Sequence, residues 1–176
     1  MLASLFRRRR AADEAFALYN AAVAQARQES FYRALGVPDS IDGRFDLVAL
    51  HVWLLLRRLK DEPAAERLGQ GLVEVFFGNM DINLREIGAA DIGVGRRVKR
   101  MIEGFHGRAA AYDAALAAGG GALEEALARN LYGTVEAPPA TLADAAAYVR
   151  RAEATLRAAP LSDFLAGRVA FPEPAP

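Results

Sequence analysis

The 176-residue chain contains no cysteine. Disulfides, thiolate metal sites and cysteine nucleophiles are therefore excluded. Histidine occurs only twice, at His51 and His106, and tryptophan once. No uninterrupted run of about 18 apolar residues exists, so no helical span of a bilayer is expected. Net charge is missing too, with 22 Lys and Arg against 22 Asp and Glu. General attraction to nucleic acid is not expected, and any recognition by charge must come from local patches. No segment alternates with period two, which leaves no candidate strand.

Helical periodicity fills the space these absences leave. A first helix is expected from about Ala12 to Leu35, marked by Phe16, Tyr19, Val23, Phe31 and Leu35, with Gly36 and Pro38 ending it. The loop GVPDSIDG consists of turn formers. From Arg44 to Lys60 the sequence is apolar most of the way round, which predicts a central helix buried on several sides. Pro63 opens a third helix that carries Leu68, Leu72, Val75, Phe76, Met80, Leu84 and Ile87 and closes at Gly88. The fourth starts near Asp91 or Gly93, with a stripe of Val94, Val98, Met101, Phe105, Ala109, Tyr112 and Leu116, and stops at Gly119. A short fifth helix ends at Gly133, and Thr141 with Asp144 gives a capping-box-like start to a sixth that runs to Ala158. The expected fold is an all-α, single-domain bundle of about six helices. Residues 1–11 form a basic tail, 12–159 the helical domain, and 160–176 a short turn and a Pro-rich extended terminus.

Two basic patches stand out. Arg96, Arg97, Lys99 and Arg100 lie in the first two turns of the fourth helix, where cations oppose the macrodipole by roughly 0.3 to 1 kcal/mol each. One account is a solvated face with a few intramolecular partners; the other is a surface for an anionic partner that repays the cost. The second patch, Arg7, Arg8, Arg9 and Arg10, follows Leu2, Leu5 and Phe6. Its apolar part precedes the charges, the reverse of a secretory signal, and Asp13 and Glu14 follow too soon for a mitochondrial presequence. Phe6 and Arg7 to Arg10 are candidates for contact with an anionic membrane surface. Between the patches, Asn79, Asp81 and Asn83 interrupt a core helix with poor helix formers. Either they make a polar face on a bent helix end, or Asp81, Asn83, Arg85 and Glu86 form a polar surface adjoining the basic cluster.

Reactive constellations fail on inspection. His51 among leucines reads as a hydrogen-bonded core histidine. Glu103 and His106 have the Glu-x-x-His spacing of di-iron bundles, but no second copy exists, since Val48 stands three before His51. Gly93-Val-Gly95 has Val98 where a dinucleotide fingerprint needs glycine. No serine sits in a nucleophile elbow and no carboxylates pair for acid/base work. No catalytic residue, metal or cofactor is expected.

At FYRALGVPDSIDGRFDLVALHVWLLLRRLK, the blocks NLREIG, DIGVGRRVKRM and GRAAAYDAAL, and LARNLYG, the chain resembles the ubiquinol-cytochrome c chaperone family over about residues 31–133. The resemblance implies an assembly factor of respiratory complex III that binds newly made cytochrome b. Mitochondrial members work beside the ribosome with a small partner protein; this chain, rich in Ala and Arg, implies a bacterial member, cytoplasmic and peripheral to the inner membrane. Asp81, Asn83, Arg85, Glu86, Arg96, Arg97, Lys99 and Arg100 are the expected client-contact surface, with apolar side chains of the third and fourth helices taking an exposed client helix. Two other readings compete: a lipid or quinone head-group binder using the same arginines, and a structural subunit of a larger membrane complex.

Overall fold

The computed structural model describes the backbone of residues 2–86 and 91–174 and the side chains of 11–79 and 99–174. It is all-helical, with no strand among the described residues. Six longer helices carry it: α1 (Leu2–Ala26), α3 (Ile41–Leu59), α4 (Glu66–Glu86), α5 (Asp91–Ala118), α6 (Ala122–Asn130) and α7 (Pro139–Ala158). Two short ones, α2 (Glu29–Arg33) and α8 (Leu161–Phe164), complete the set.

α3 is the central helix that its apolar surface predicts. Leu47, Ala49, Leu50, Val52, Trp53, Leu54, Leu55 and Leu59 are all buried, and α3 packs against α1, α4, α5 and α7. It starts at Ile41 rather than Arg44, because the turn-forming loop supplies a cap: the Ser40 hydroxyl accepts the Gly43 N–H at 3.1 Å.

The first helix departs from expectation at both ends and in its face. Helical backbone begins at Leu2, so residues 2–11 extend the helix rather than precede it. It breaks at Arg27 and Gln28, and α2 closes against Gly36, whose φ of 60° suits a residue without a Cβ. Its buried stripe is Ala15, Leu18, Ala22 and Ala26, while Phe16 is 49% exposed. The reason lies across the interface: a Cβ on Gly71 of α4 would come within 3.1 Å of the Ala15 Cβ, so the two helices approach closely over small residues. A phenylalanine has no room on that face.

α4 is preceded by a 3-10 turn over Pro63–Ala65 and runs unbroken through the amide-rich stretch, with the Asn79 side chain donating to the Val75 carbonyl at 2.9 Å. α7 begins at Pro139, two residues before the expected start. Pro138 precedes it with no side-chain cap bond, so Thr141 and Asp144 do not form a capping box; the fixed φ of a first-turn proline starts this helix instead. The C-terminal segment is extended, as its prolines suggest, but it is packed: Phe171 stands edge-on to His51 at 5.1 Å between centroids, and the Pro172 carbonyl accepts from Gln25 at 2.8 Å.

Candidate functional site

Charge pairs and one open groove surround the α3 C-terminus. Arg57 donates to Asp113 of α5 at 2.6 Å and lies 3.5 Å from Glu153 of α7; Trp53 Nε1 donates to the same Asp113 oxygen at 3.2 Å. Arg58 donates to Glu62 at 2.8 Å and to the Leu156 carbonyl at 3.1 Å, which satisfies the end of α7 with a cation where the dipole favours one. A cleft of about 300 Å³ between α3 and α7 is lined by Arg57, Arg58, Lys60 and Arg157. Three of its four cations are engaged by Asp113, Glu62 and Glu153. That cleft is a structural charge lattice.

The groove is larger, about 760 Å³, and opens between α3, α4 and α5. Trp53, Leu56 and Leu59 of α3 line its base, Gly69 and Val73 of α4 one wall, Phe105 and Ala109 of α5 the other. Phe105 meets Phe76 at 5.1 Å and Phe77 at 5.7 Å, an aromatic contact that joins α4 to α5 beyond Val73. Carboxylates dominate the rim: Asp61, Glu62, Glu66 and Asp113, against Arg57 and Lys60. Sequence reading placed Phe105 and Ala109 on the core stripe and did not see the groove. Gly69 lies in the first turn of α4, and its lack of a side chain leaves that wall of the groove open.

A second polar feature is fully internal. His51 Nδ1 donates to the Leu47 carbonyl at 2.7 Å, which fixes the tautomer and leaves Nε2 to accept the Tyr148 hydroxyl at 2.7 Å. Tyr148 in turn accepts from Gln25 at 3.1 Å. Burial pushes the His51 pKa down to about 4, so the ring is neutral at pH 7. His51 is thus the hydrogen-bonded core histidine its leucine neighbours suggest. Nearby, Asp46 faces Arg108 at 2.9 Å without the alignment of a hydrogen bond, and the Tyr112 hydroxyl has no partner among the described residues. Burial raises Asp46 to about 6, against the opposing pull of Arg108.

The expected contact surface is only partly visible. Lys99 and Arg100 are exposed, and Lys99 lies 3.9 Å from Glu103, a weak i,i+4 pair on a solvated face. Asp81, Asn83, Arg85 and Glu86 belong to helical backbone in α4, and Arg96 and Arg97 to α5, but their side chains lie outside the described residues. Phe6 and Arg7 to Arg10 are likewise helical in backbone with side chains outside them. His106 lines the groove and Glu103 is exposed; no group of three or more His, Asp or Glu side chains converges on a metal-sized site among the described residues. No helix among them is long and apolar enough to cross a membrane.

Comparison with known proteins places this architecture. The family model described as "Ubiquinol-cytochrome C chaperone" matches residues 33–171. The match runs well past residue 133, through α7 and α8. A relative from Xenopus laevis, "Ubiquinol-cytochrome-c reductase complex assembly factor 1", is 25% identical over 138 residues, which cover 78% of this chain and 69% of that protein. The crystal structure of the Cbp3 homolog from Brucella abortus superposes with a TM-score of 0.85 at 37% identity, covering 99% of this chain and 98% of that one.

Proposed function

The chain belongs to the ubiquinol-cytochrome c chaperone family, and on that premise we propose that it is an assembly chaperone of complex III that holds newly made cytochrome b at the cytoplasmic face of the membrane. The observation that carries this reading is the likeness through residues 33–171, which spans the α3, α4 and α5 elements that build the groove. An open, apolar-based groove suits a client that has left the ribosome or translocon with helices still unpaired. Chaperone action requires differential affinity: the unassembled client is bound and the finished complex released. No bond is made or broken, so the protein is not an enzyme in this reading.

The basic residues have a complementary part. Arg96, Arg97, Lys99 and Arg100, with Phe6 and Arg7 to Arg10, would hold the protein to anionic lipid around the client, each cation near the surface being worth about 1 kcal/mol. Asp81, Asn83, Arg85 and Glu86 would meet polar client loops. A gene deletion tests the proposal. Assembled complex III and its cytochrome b should fall while other membrane proteins persist; normal levels of both b hemes in the deletion strain refute it. A head-group binder would instead leave complex III intact and retain liposome binding with no client present.

A further inference from the structure

The groove between α3, α4 and α5 has a chemistry more specific than apolarity. Its base and walls are hydrocarbon, but Gly69, Ala65 and Ala109 keep those walls low, the condition under which an incoming helix backbone approaches closely. Four carboxylates stand on its rim against two cations, so the mouth is net negative. Arg57 pairs with Asp113 and Glu62 with Arg58, whereas the exposed Asp61 and Glu66, and Lys60 opposite them in charge, have no ion pair among the described residues, so unpaired carboxylates outnumber unpaired cations by two to one. Two unpaired carboxylates at the edge of an apolar trough call for a cation carried by the occupant.

We infer that this groove docks an apolar helix that ends in lysine or arginine. Cytoplasmic flanks of transmembrane helices are enriched in these residues, so a newly made membrane helix presents such an end before it is packed. Leu56, Leu59, Val73 and Phe105 take the apolar face, and Asp61 and Glu66 meet the cationic flank. The inference rests on the chaperone reading for the identity of the client, but its binding chemistry is tested without one.

The probes are two synthetic Leu-Ala helices in mild detergent, one ending in three lysines and the other in three glutamates, titrated into the purified full chain. The lysine-ended helix should bind roughly tenfold more tightly than the glutamate-ended one. Gly69→Leu fills the groove: a Cβ at 69 meets only the Leu56 Cδ2, at 4.0 Å, an ordinary contact. The variant should bind at least tenfold more weakly and melt no lower than the parent. Asp61→Lys with Glu66→Lys should reverse the preference between probes. Equal binding of the two probes, or parental affinity in Gly69→Leu, overturns the inference. A parent that is dimeric at micromolar concentration and monomeric as Gly69→Leu also overturns it, because the occupant is then a second copy. In native membranes, cytochrome b should co-purify with the parent and be lost with Gly69→Leu. Equal recovery with both ends the inference and leaves the chaperone reading standing. Probe binding as expected, with no cytochrome b recovered and normal complex III in the deletion strain, ends the chaperone reading and leaves the groove's specificity in place.

Discussion

Tyr148→Phe isolates the polar chain that ties four segments of the fold together. The ring stays: its edge-on contact with Phe31, 4.9 Å between centroids, needs no hydroxyl. What goes is one oxygen that donates to His51 Nε2 and accepts from Gln25. Gln25 keeps its bond to the Pro172 carbonyl, but His51 Nε2, in a residue with no exposure, is left without a donor. An orphaned buried acceptor costs about 1 to 3 kcal/mol, far more than the net worth of a hydrogen bond both of whose partners are removed. For a chain of this length the melting temperature should fall by about 3 to 10 °C. Calorimetry at pH 7.5 measures it. Adding His51→Leu to Tyr148→Phe removes the orphan, so the double variant should recover about 1 kcal/mol relative to the sum of the singles. A single variant within about 0.5 kcal/mol of the parent, or strict additivity in the cycle, would refute the argument.

Two further outcomes follow from burial and contact geometry. His51 has a folded pKa of about 4 against 6.5, so the native state binds fewer protons in that window and its contribution is lost as pH falls below 6.5. Asp46, raised from 3.8 to about 6, binds more protons when folded and contributes stability that disappears as pH rises toward 6. The two oppose each other between about pH 4 and 6. Asp46→Asn should therefore lose about 2 kcal/mol of stability from pH 7 to 5 through His51, while the parent changes far less; parallel urea profiles for parent and variant would count against the Asp46 assignment, and a variant whose stability does not change between these pH values against that of His51. Gly71→Leu should destabilise by about 1 to 3 kcal/mol in thermal melts, because its Cβ meets Ala15 at 3.1 Å, whereas Gly69→Leu two residues away holds or gains stability. Equal melting temperatures for the two would show that α1 does not approach α4 as closely as drawn.

How far the sequence was legible depends on which physical signal each element uses. α3 is apolar on nearly every side, so its central place was readable from the pattern alone, and His51 in that setting had to be a satisfied core group. α1 was misread because its buried face is alanine, which a search for large apolar residues ranks below Phe16; the packing partner that selects small residues, Gly71, lies on another helix. The same limit hid the groove. Trp53, Gly69 and Ala109 are more than fifty residues apart at the extremes, and their periodicities say only that each belongs to an inward face. Whether two inward faces close on each other or stay apart depends on side-chain volumes across the interface, which no single helix records. Gly69, in the first turn of α4 with no neighbour nearer than the Leu56 Cδ2 at 4.0 Å, leaves space on the groove wall, and an external helix is one occupant for such a space. Carboxylates left without partners at the margin of that space then determine which end of the occupant enters where.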